Sequence, residues 1–414
     1  MPSSEFTLRL ATEPVVCATL EDFARSGARR ALQQAIEDEV AEYVNAHRDC
    51  RDDAGHRLVV RNGRKPPRTI LTGAGPIEVS QPRVDDRRVD ENGVRFRFTS
   101  KILPPYLRKT KAIEDLVPWL YLKGISTGEM SDALVHLGFD GAGLSPTSVT
   151  RMTEAWQQEY DDWSKRDLTG KRYVYLWADG LYFGCRLSDD RPCLLVLMGA
   201  TAEGTKELIA IHDGQRESET SWTQVLTGLK DRGLSTPPEL ATGDGSLGFW
   251  QALAKVFPST RQQRCWVHKT ANVLDKLPRR EQPAAKAMLH EIWMSATRVD
   301  AIKAFDRFIA TYGTKWPKAT DCLQKDRAEL LAFYDFPAEH WGHLRTSNPI
   351  ESTFSTVRLR TYRTKGPGSR AAGLAMAFKL AKKAEKGWRR LNGSDKLKDL
   401  IDGIVFVDGE RRAA

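Results

Sequence analysis

The stretch RYVYLWADGLYFGCRLSDDRPCLLVLMGATAEGTKELIAIH, residues 172–212, decides the fold. Its apolar runs, Arg172–Ala178, Leu181–Leu187, Cys193–Ala200 and Glu207–His212, are short and rich in β-branched and aromatic residues. Polar turns separate the first three, so they predict strands rather than helices. The first run ends at Asp179-Gly180. Downstream the texture alternates. A helix is expected over about 219–232, then a strand Glu239–Thr242 ending at Gly243-Asp244-Gly245. Helix 247–256 follows, with Leu247, Trp250, Leu253 and Ala254 on one face, and then strand-like Arg261–Cys265.

Antiparallel strands followed by alternating helix and strand predict an α/β fold with a ribonuclease-H-like, mixed-sheet core over 166–268. Residues 269–345 read as an all-helical insertion. The core resumes over 346–390 with a helix from about Pro349 to Thr361, and 391–414 forms a tail. Upstream, residues 1–60 form a helical region in which Leu32, Ile36, Val40 and Tyr43 share one face. Residues 61–110 read as a small strand-rich module with alternating Ile77/Val79 and Val94/Phe96/Phe98. Residues 111–165 predict a helix-turn-helix-like region: a capping box at Ser126 and Glu129 opens a helix over 127–137. A turn follows at 138–143, and Ser145-Pro146 starts a helix to about Tyr160.

The chain has 414 residues and a formal charge of +9, and the excess is local. Residues 341–390 hold 12 Lys or Arg against 2 acids, which leaves the rest of the chain close to neutral. Residues 61–110 form a second basic zone, with 12 Lys or Arg against 5 acids. Such zones fit a polyanion partner, because neutralising phosphates releases counterions; a solvated surface is the bland reading of the second zone. No apolar run is long enough for a transmembrane helix, and the N-terminus lacks the layout of a secretory signal. Six scattered cysteines do not make a disulfide scaffold. A soluble, intracellular protein is expected.

Asp179 and Asp244 each follow a predicted strand and precede a glycine, so each carboxylate faces the crevice where open α/β sheets bind ligands. Taken alone, Asp-Gly is mostly a turn signal. Glu351 opens the helix after Arg345-Thr-Ser-Asn348-Pro-Ile, next to a buried stripe of Ile350, Phe354 and Val357. Helix capping explains an acid there, but not its place in so basic a stretch. Three carboxylates on two strand ends and one helix can hold two Mg²⁺ ions, the arrangement that serves in-line phosphoryl displacement. Arg345, Asn348, Arg358 and Arg360 are the candidates for holding DNA near Glu351. Among the tryptophans, Trp222 is the candidate for stacking on an unpaired base, although most tryptophans serve a core. Cys265-x-x-His268 admits a zinc half-site, with His340-x-x-His343 as the other half, or a buried Cys beside a satisfied His.

These residues together resemble the Mutator-type transposases of bacterial insertion sequences. The resemblance runs over nearly the whole chain: Asp179-Gly180, Gly199-Ala-Thr-Ala-Glu-Gly204, Glu219, Trp222, Arg232-Gly233 and Asp244-Gly245, then Gln263-Arg264-Cys265-Trp266-Val267-His268, Asn348, Glu351, Arg358 and Arg360. Arg61-Asn-Gly-Arg64 and Gln81-Pro-Arg83 match the family's DNA-binding half. The resemblance implies a DDE transposase in which Asp179, Asp244 and Glu351 bind Mg²⁺, with Mn²⁺ able to substitute. It implies cleavage at inverted-repeat ends of double-stranded DNA and joining of the freed 3′-hydroxyl. His268 is then expected to hydrogen-bond a carboxylate or the scissile phosphate, with Cys265 supporting the site. At least a homodimer is implied, because two ends must be paired, in a bacterial, nucleoid-associated and cytoplasmic setting. The rivals are a structure-specific nuclease or resolvase on the same core, and a DNA-binding protein without catalysis.

Overall fold

A computed structural model describes residues 19–113, 116, 120, 132, 135, 146–182, 193–214, 216–245, 247–363 and 369–412. The chain divides into two compact units, residues 1–150 and 151–414.

In the first unit, helix α1 (Leu20–Ala46) is capped by Thr19, whose hydroxyl accepts the Asp22 amide. Its inward face carries Ile36 against Ile70, Ile77, Val79 and Leu103. Four strands follow, β1 (Val59–Arg64), β2 (Arg68–Thr72), β3 (Gly75–Val79) and β4 (Pro82–Asp86), paired antiparallel as β1–β4 and β2–β3. The expected alternation at Ile77 and Val79 is present, and both side chains are buried. Val94, Phe96 and Phe98 do not form a strand. Val94 and Phe96 are exposed, with only an isolated bridge between Val89 and Arg95, because no neighbouring strand offers them a face to bury. Much of the basic zone is committed to holding this unit together. Arg61 and Arg64 both meet Glu37, at 2.8 and 2.5 Å, and Arg88 grips the buried Asp86 at 2.7 Å. The helix expected over 127–137 and its following turn lie outside the described residues, Asp132 and Val135 apart.

Helix α2 (Pro146–Ser164) leads into the second unit and its five-stranded mixed sheet. Strands β5 (Tyr173–Tyr182), β6 (Cys193–Thr201) and β7 (Lys206–Gly214) are antiparallel. After helix α3 (Glu219–Asp231) comes β8 (Leu240–Gly243), and after α4 (Leu247–Val256) comes β9 (Arg261–Arg264); both lie parallel to β5. The order is β7–β6–β5–β8–β9. The first strand is longer than the sequence suggests. It runs through Asp179 and Gly180 to Tyr182, paired all the way with β6, so Asp179 stands inside a strand rather than at its end.

One face of the sheet is covered by α3 and α4, through Trp222, Leu226, Phe249, Trp250 and Leu253. Helix α4 buries Phe249, Ala252 and Val256 besides Trp250 and Leu253, whereas Ala254, expected inward, is exposed. The two helices approach closely at Gly248, where an added Cβ would lie 2.4 Å from the Glu217 carbonyl oxygen and 2.7 Å from the Glu219 amide nitrogen.

The other face receives the returning chain. Between β9 and residue 345 the described chain is helical or turn throughout: α5 (Trp266–Leu274), α6 (Gln282–Met294), α7 (Arg298–Tyr312), α8 (Pro317–Gln324) and short turns to Leu344. Then come α9 (Asn348–Arg363) and α10 (Arg370–Glu385). The C-terminal segment is not a loose tail: Leu391, Leu397 and Phe406 are buried, and the Gly409 carbonyl accepts the Ala338 amide at 3.2 Å.

The return segment carries a neutral histidine. His343 Nδ1 lies 3.1 Å from Lys206 Nζ, and burial, then the Lys206 charge, push the imidazole pKa down to about 4. A base whose folded-state pKa is depressed costs stability as it protonates. This contribution is intact above pH 6.5, the ordinary value, and is lost as pH falls toward 4. Between pH 7 and 4.5 the wild type should therefore lose on the order of 1–3 kcal/mol more than His343→Gln, read from urea midpoints. Gly248→Ala should cost about 1–3 kcal/mol in the same assay, because the obstructing atoms are backbone and cannot swing aside.

Candidate active site

The ladder sets the site. Ala178, Gly243 and Arg264 form its last level across β5, β8 and β9, so the next residue on each chain is Asp179, Asp244 or Cys265. The level two residues earlier shows which way those side chains face. Trp177 Nε1 donates to the His343 carbonyl at 2.9 Å, Thr242 Oγ1 to the Leu344 carbonyl at 2.9 Å, and Gln263 Nε2 to the Leu330 carbonyl at 3.3 Å. With side chains alternating along a strand, the next level faces the same return segment. The Cys265 amide still bonds the Gly243 carbonyl at 2.8 Å, extending the ladder to that level.

Helix α9 enters at this edge. Ile350, Phe354 and Val357 are buried, which turns Glu351 and Arg358 along the neighbouring stripe, as their spacing suggests. Asp179 records the charges around it. Its pKa is raised to about 7, first by burial and then by the Asp244 carboxylate. His268 and Arg358 oppose the shift, and Glu351 adds to it. The charges that act on Asp179 are thus those of Asp244, Glu351, His268 and Arg358. Asp179 Oδ1 accepts the Gly180 amide at 2.9 Å, while Oδ2 is buried without a hydrogen-bond partner.

Beside the carboxylates lies a second set. His268 Nδ1 is 3.6 Å from Glu351 Oε1, and ligand atoms of Cys265, His268 and Glu351 all lie within 4.8 Å of one another. The Cys265 interaction, then Glu351 and Asp244, raise the His268 pKa to about 9 against the effect of burial, so the imidazole is cationic at neutral pH. Burial works to raise the Cys265 thiol pKa, but hydrogen bonds from His268 and Ser347 outweigh it and bring the value below normal.

Ser347 is the residue that the spacing arguments missed. Fully buried, it places Oγ 2.6 Å from Glu351 Oε1, 3.2 Å from Cys265 Sγ and 3.3 Å from His268 Nδ1. Its carbonyl accepts the Ile350 and Glu351 amides, so it also starts α9. Its position four residues before Glu351, ahead of Asn-Pro, was the available signal.

Several expectations change. Trp222 is 1% exposed and stacks edge-on with Phe249 at 5.0 Å, so it serves the core and offers no face to a base. Arg345 is held in an aromatic cage, its guanidinium 4.9 Å from the Phe333 ring and 5.4 and 5.6 Å from Trp341 and Trp293. That role stands in place of the expected DNA contact. Asn348 and Arg358 are exposed beside Glu351, and the Arg360 side chain lies outside the described residues. The two halves of the supposed zinc motif do not meet: His340 bonds the Tyr175 hydroxyl at 2.7 Å and the Gly393 carbonyl at 2.9 Å, and His343 faces Lys206. Asp213, at the end of β7, forms a two-pronged pair with Arg370 at 2.8 and 2.9 Å.

The family model "Transposase, Mutator family" matches residues 3–390. The chain belongs to the Mutator family of transposases. Among its relatives, the transposase for insertion sequence element IST2 from Acidithiobacillus ferrooxidans is 51% identical over 288 residues, 68% of this chain and 95% of that protein. The transposase of IS6120 from Mycolicibacterium smegmatis is 50% identical, covering 72% of this chain and 92% of the other. A more distant relative is the transposase of IS256 in transposon Tn4001 from Staphylococcus aureus, at 27% identity over 82% of this chain and 84% of its own. Among the described residues no helix is long and apolar enough to cross a membrane.

The raised Asp179 pKa has a direct consequence for this Mutator-family chain. An acid raised on folding favours its neutral form, so stability falls as pH climbs from about 4 through about 7. In chelator, Asp179→Asn should be more stable than the wild type at pH 8, by on the order of 1–4 kcal/mol. That advantage should vanish below pH 4; a pH-independent difference would contradict the electrostatic account.

Proposed function

We propose that the chain is a DDE transposase on a ribonuclease-H-like core, in which Asp179, Asp244 and Glu351 hold Mg²⁺, or Mn²⁺ in its place. Three antiparallel strands followed by two parallel ones support the fold assignment. The observation that supports this reading is the Asp179 carboxylate: it is buried, the Asp244 and Glu351 charges act on it, and its Oδ2 has no hydrogen-bond partner among the described residues. Crowded carboxylates in a desolvated place are unfavourable without a cation, and hard oxygen donors suit Mg²⁺. A pair of such ions supplies charge stabilisation at the attacking and leaving oxygens of an in-line phosphoryl displacement.

The protein's own groups do the rest. Asp179 and Asp244 are fixed relative to each other by the parallel ladder, which orients both carboxylates before DNA arrives. Glu351 is aimed by Ser347, whose hydroxyl donates to Oε1 at 2.6 Å. Cationic His268 and Arg358 flank the acids and balance charge where a phosphodiester must enter. Asn348 and Arg358 lie on the exposed side of α9, where they contact the DNA backbone. The substrate is double-stranded DNA bearing the element's inverted-repeat ends, and at least two copies of the chain pair those ends.

A strand-joining assay tests this reading, with labelled DNA ends of the neighbouring element and Mg²⁺ or Mn²⁺. Asp179→Asn, Asp244→Asn and Glu351→Gln should each abolish joined product while DNA binding persists. Arg358→Ala should weaken DNA engagement and lower its salt slope by about one phosphate. Cleavage without joining would indicate a nuclease or resolvase instead, and binding with neither reaction a DNA-binding protein.

A further inference from the structure

Glu351 is shared between two donor sets of different chemistry. On one side its charge acts on the Asp179 carboxylate. Toward α5 it meets a sulfur and an imidazole nitrogen, and Ser347 Oγ touches all three groups. Four of the six edges of a tetrahedron on these atoms are 3.2 Å from Oγ to Cys265 Sγ, 3.3 Å from Oγ to His268 Nδ1, 3.6 Å from Nδ1 to Glu351 Oε1 and 2.6 Å from Oγ to Oε1. The other two, both at Cys265 Sγ, lie within 4.8 Å. A tetrahedral ion with bonds of roughly 2.0 Å to nitrogen and oxygen and 2.3 Å to sulfur has edges of roughly 3.3–3.5 Å. Of the four edges at hand, the hydrogen-bonded Oγ–Oε1 edge is the one that must lengthen most.

We propose that Cys265, His268 and Glu351, with Ser347 Oγ at the fourth vertex, form a site for a borderline-soft divalent ion such as Zn²⁺, which withdraws Glu351 from the carboxylate set. Thiolate and imidazole select against Mg²⁺, which demands oxygen ligands in an octahedron. Binding displaces two protons to solvent, one from the Cys265 thiol and one from the His268 imidazolium, and the freed sulfur and nitrogen electron pairs form the metal bonds. The ligand set is local: Cys265 and His268 flank one helix start, and Ser347 and Glu351 flank another, joined by the bond from the Trp266 amide to the Arg345 carbonyl at 2.9 Å. The ion would sit on the joint between these helices, where it reaches both without moving either. The consequence for catalysis rests on the DDE reading; the site itself does not.

Cobalt serves as the probe, because Co²⁺ bound through a thiolate shows a sulfur-to-metal charge-transfer band and the intense visible bands of tetrahedral coordination. The full-length protein in Mg²⁺-free buffer should take up one Co²⁺ with both signatures. Zn²⁺ should displace it and excess Mg²⁺ should not. Cys265→Ser should lose the charge-transfer band, and Glu351→Gln and His268→Gln should weaken binding. Asp179→Asn, which disables the other set, should keep both signatures. A wild type without the charge-transfer band would overturn the proposal, as would a band that survives in Cys265→Ser. If Cys265→Ser does not fold, unchanged cobalt affinity and spectrum in both Glu351→Gln and His268→Gln would do so. In the joining assay at fixed Mg²⁺, Zn²⁺ should cause a loss of product. Intact cobalt spectra with no Zn²⁺ inhibition would overturn the withdrawal of Glu351. Absent joining in Zn²⁺-free buffer would instead count against the DDE reading.

Discussion

Everything at the site depends on how the chain between the last sheet strand and α9 is fastened to the sheet. Tyr175, Trp177 and Asp179 are successive same-face positions of β5. The first two hold the return segment, Tyr175 through His340 at 2.7 Å and Trp177 through the His343 carbonyl at 2.9 Å. Thr242 does the same on β8, and on β9 the buried Cys265 sulfur meets the Ser347 amide at 3.3 Å. Each bond is made in a buried setting, where an unpaired polar group is expensive, so a slip of the return segment by one residue would break several together. This rung-by-rung attachment brings Glu351 to carboxylates that lie 107 and 172 residues earlier in the chain. The intervening helices can build their own core, around residues such as Phe305, Phe308 and Leu289, without disturbing the site.

The same fastening concentrates charge. Carboxylates near one another are unfavourable in a partly desolvated place, and two cations offset this at Asp179: His268 from α5 and Arg358 from α9. Arg264 acts at one remove. Its guanidinium lies over the Trp250 ring at 5.5 Å and donates to the Asp244 carbonyl at 2.5 Å, so it fixes the loop rather than the carboxylate. His268 carries the more adjustable charge, because its protonation is supported by Cys265 and Glu351 together.

Much of this was legible in the sequence. The strand runs around Asp179 and Asp244, the start of α9 and its buried stripe of Ile350, Phe354 and Val357 follow from local periodicity, which reports the pattern of burial directly. What escaped is tertiary. Ser347 carries no periodic signal, because its importance comes from three partners brought in by other segments. Trp222 and Arg345 were misplaced for a related reason: the residue type fits DNA contact, but the packing partners, Phe249 for one and Phe333, Trp293 and Trp341 for the other, are distant in sequence. Val94, Phe96 and Phe98 show the converse error. Alternation predicts a strand only where a partner strand and a buried face exist; here Val94 and Phe96 are exposed, Phe98 is half-buried against Tyr43, and the pairing among the described residues is an isolated Val89–Arg95 bridge. At Asp179-Gly180 a turn dipeptide sits inside a strand. Continuous pairing with β6 overrides its local preference, and the absent Cβ leaves room for the Glu217 side chain, whose Oε1 would lie 2.1 Å from one.

The helical insertion is therefore more than a spacer, and the argument lies in one acid. Asp326, at the end of the insertion's helices, meets the buried Lys269 from α5 and Arg264 from β9, the latter at 3.3 Å. Burial works against ionisation of Asp326, yet the bond from Lys269 and the Arg264 charge keep its pKa below the ordinary value. The Lys269 ammonium is further satisfied by the Cys322 carbonyl at 2.9 Å, so the network is closed on the insertion side. Removing one member of such a buried set leaves the others uncompensated, which costs more than the pair contributes when intact. Arg264 is the member that also holds the Asp244 carbonyl. The insertion is thus wired through Asp326 and Arg264 to the loop carrying the second carboxylate, as the return segment is wired to the helix carrying the third. The insertion between Asp244 and Glu351 is tied near both ends, through Asp326 and Arg264 to the Asp244 carbonyl and through Ser347 to Glu351.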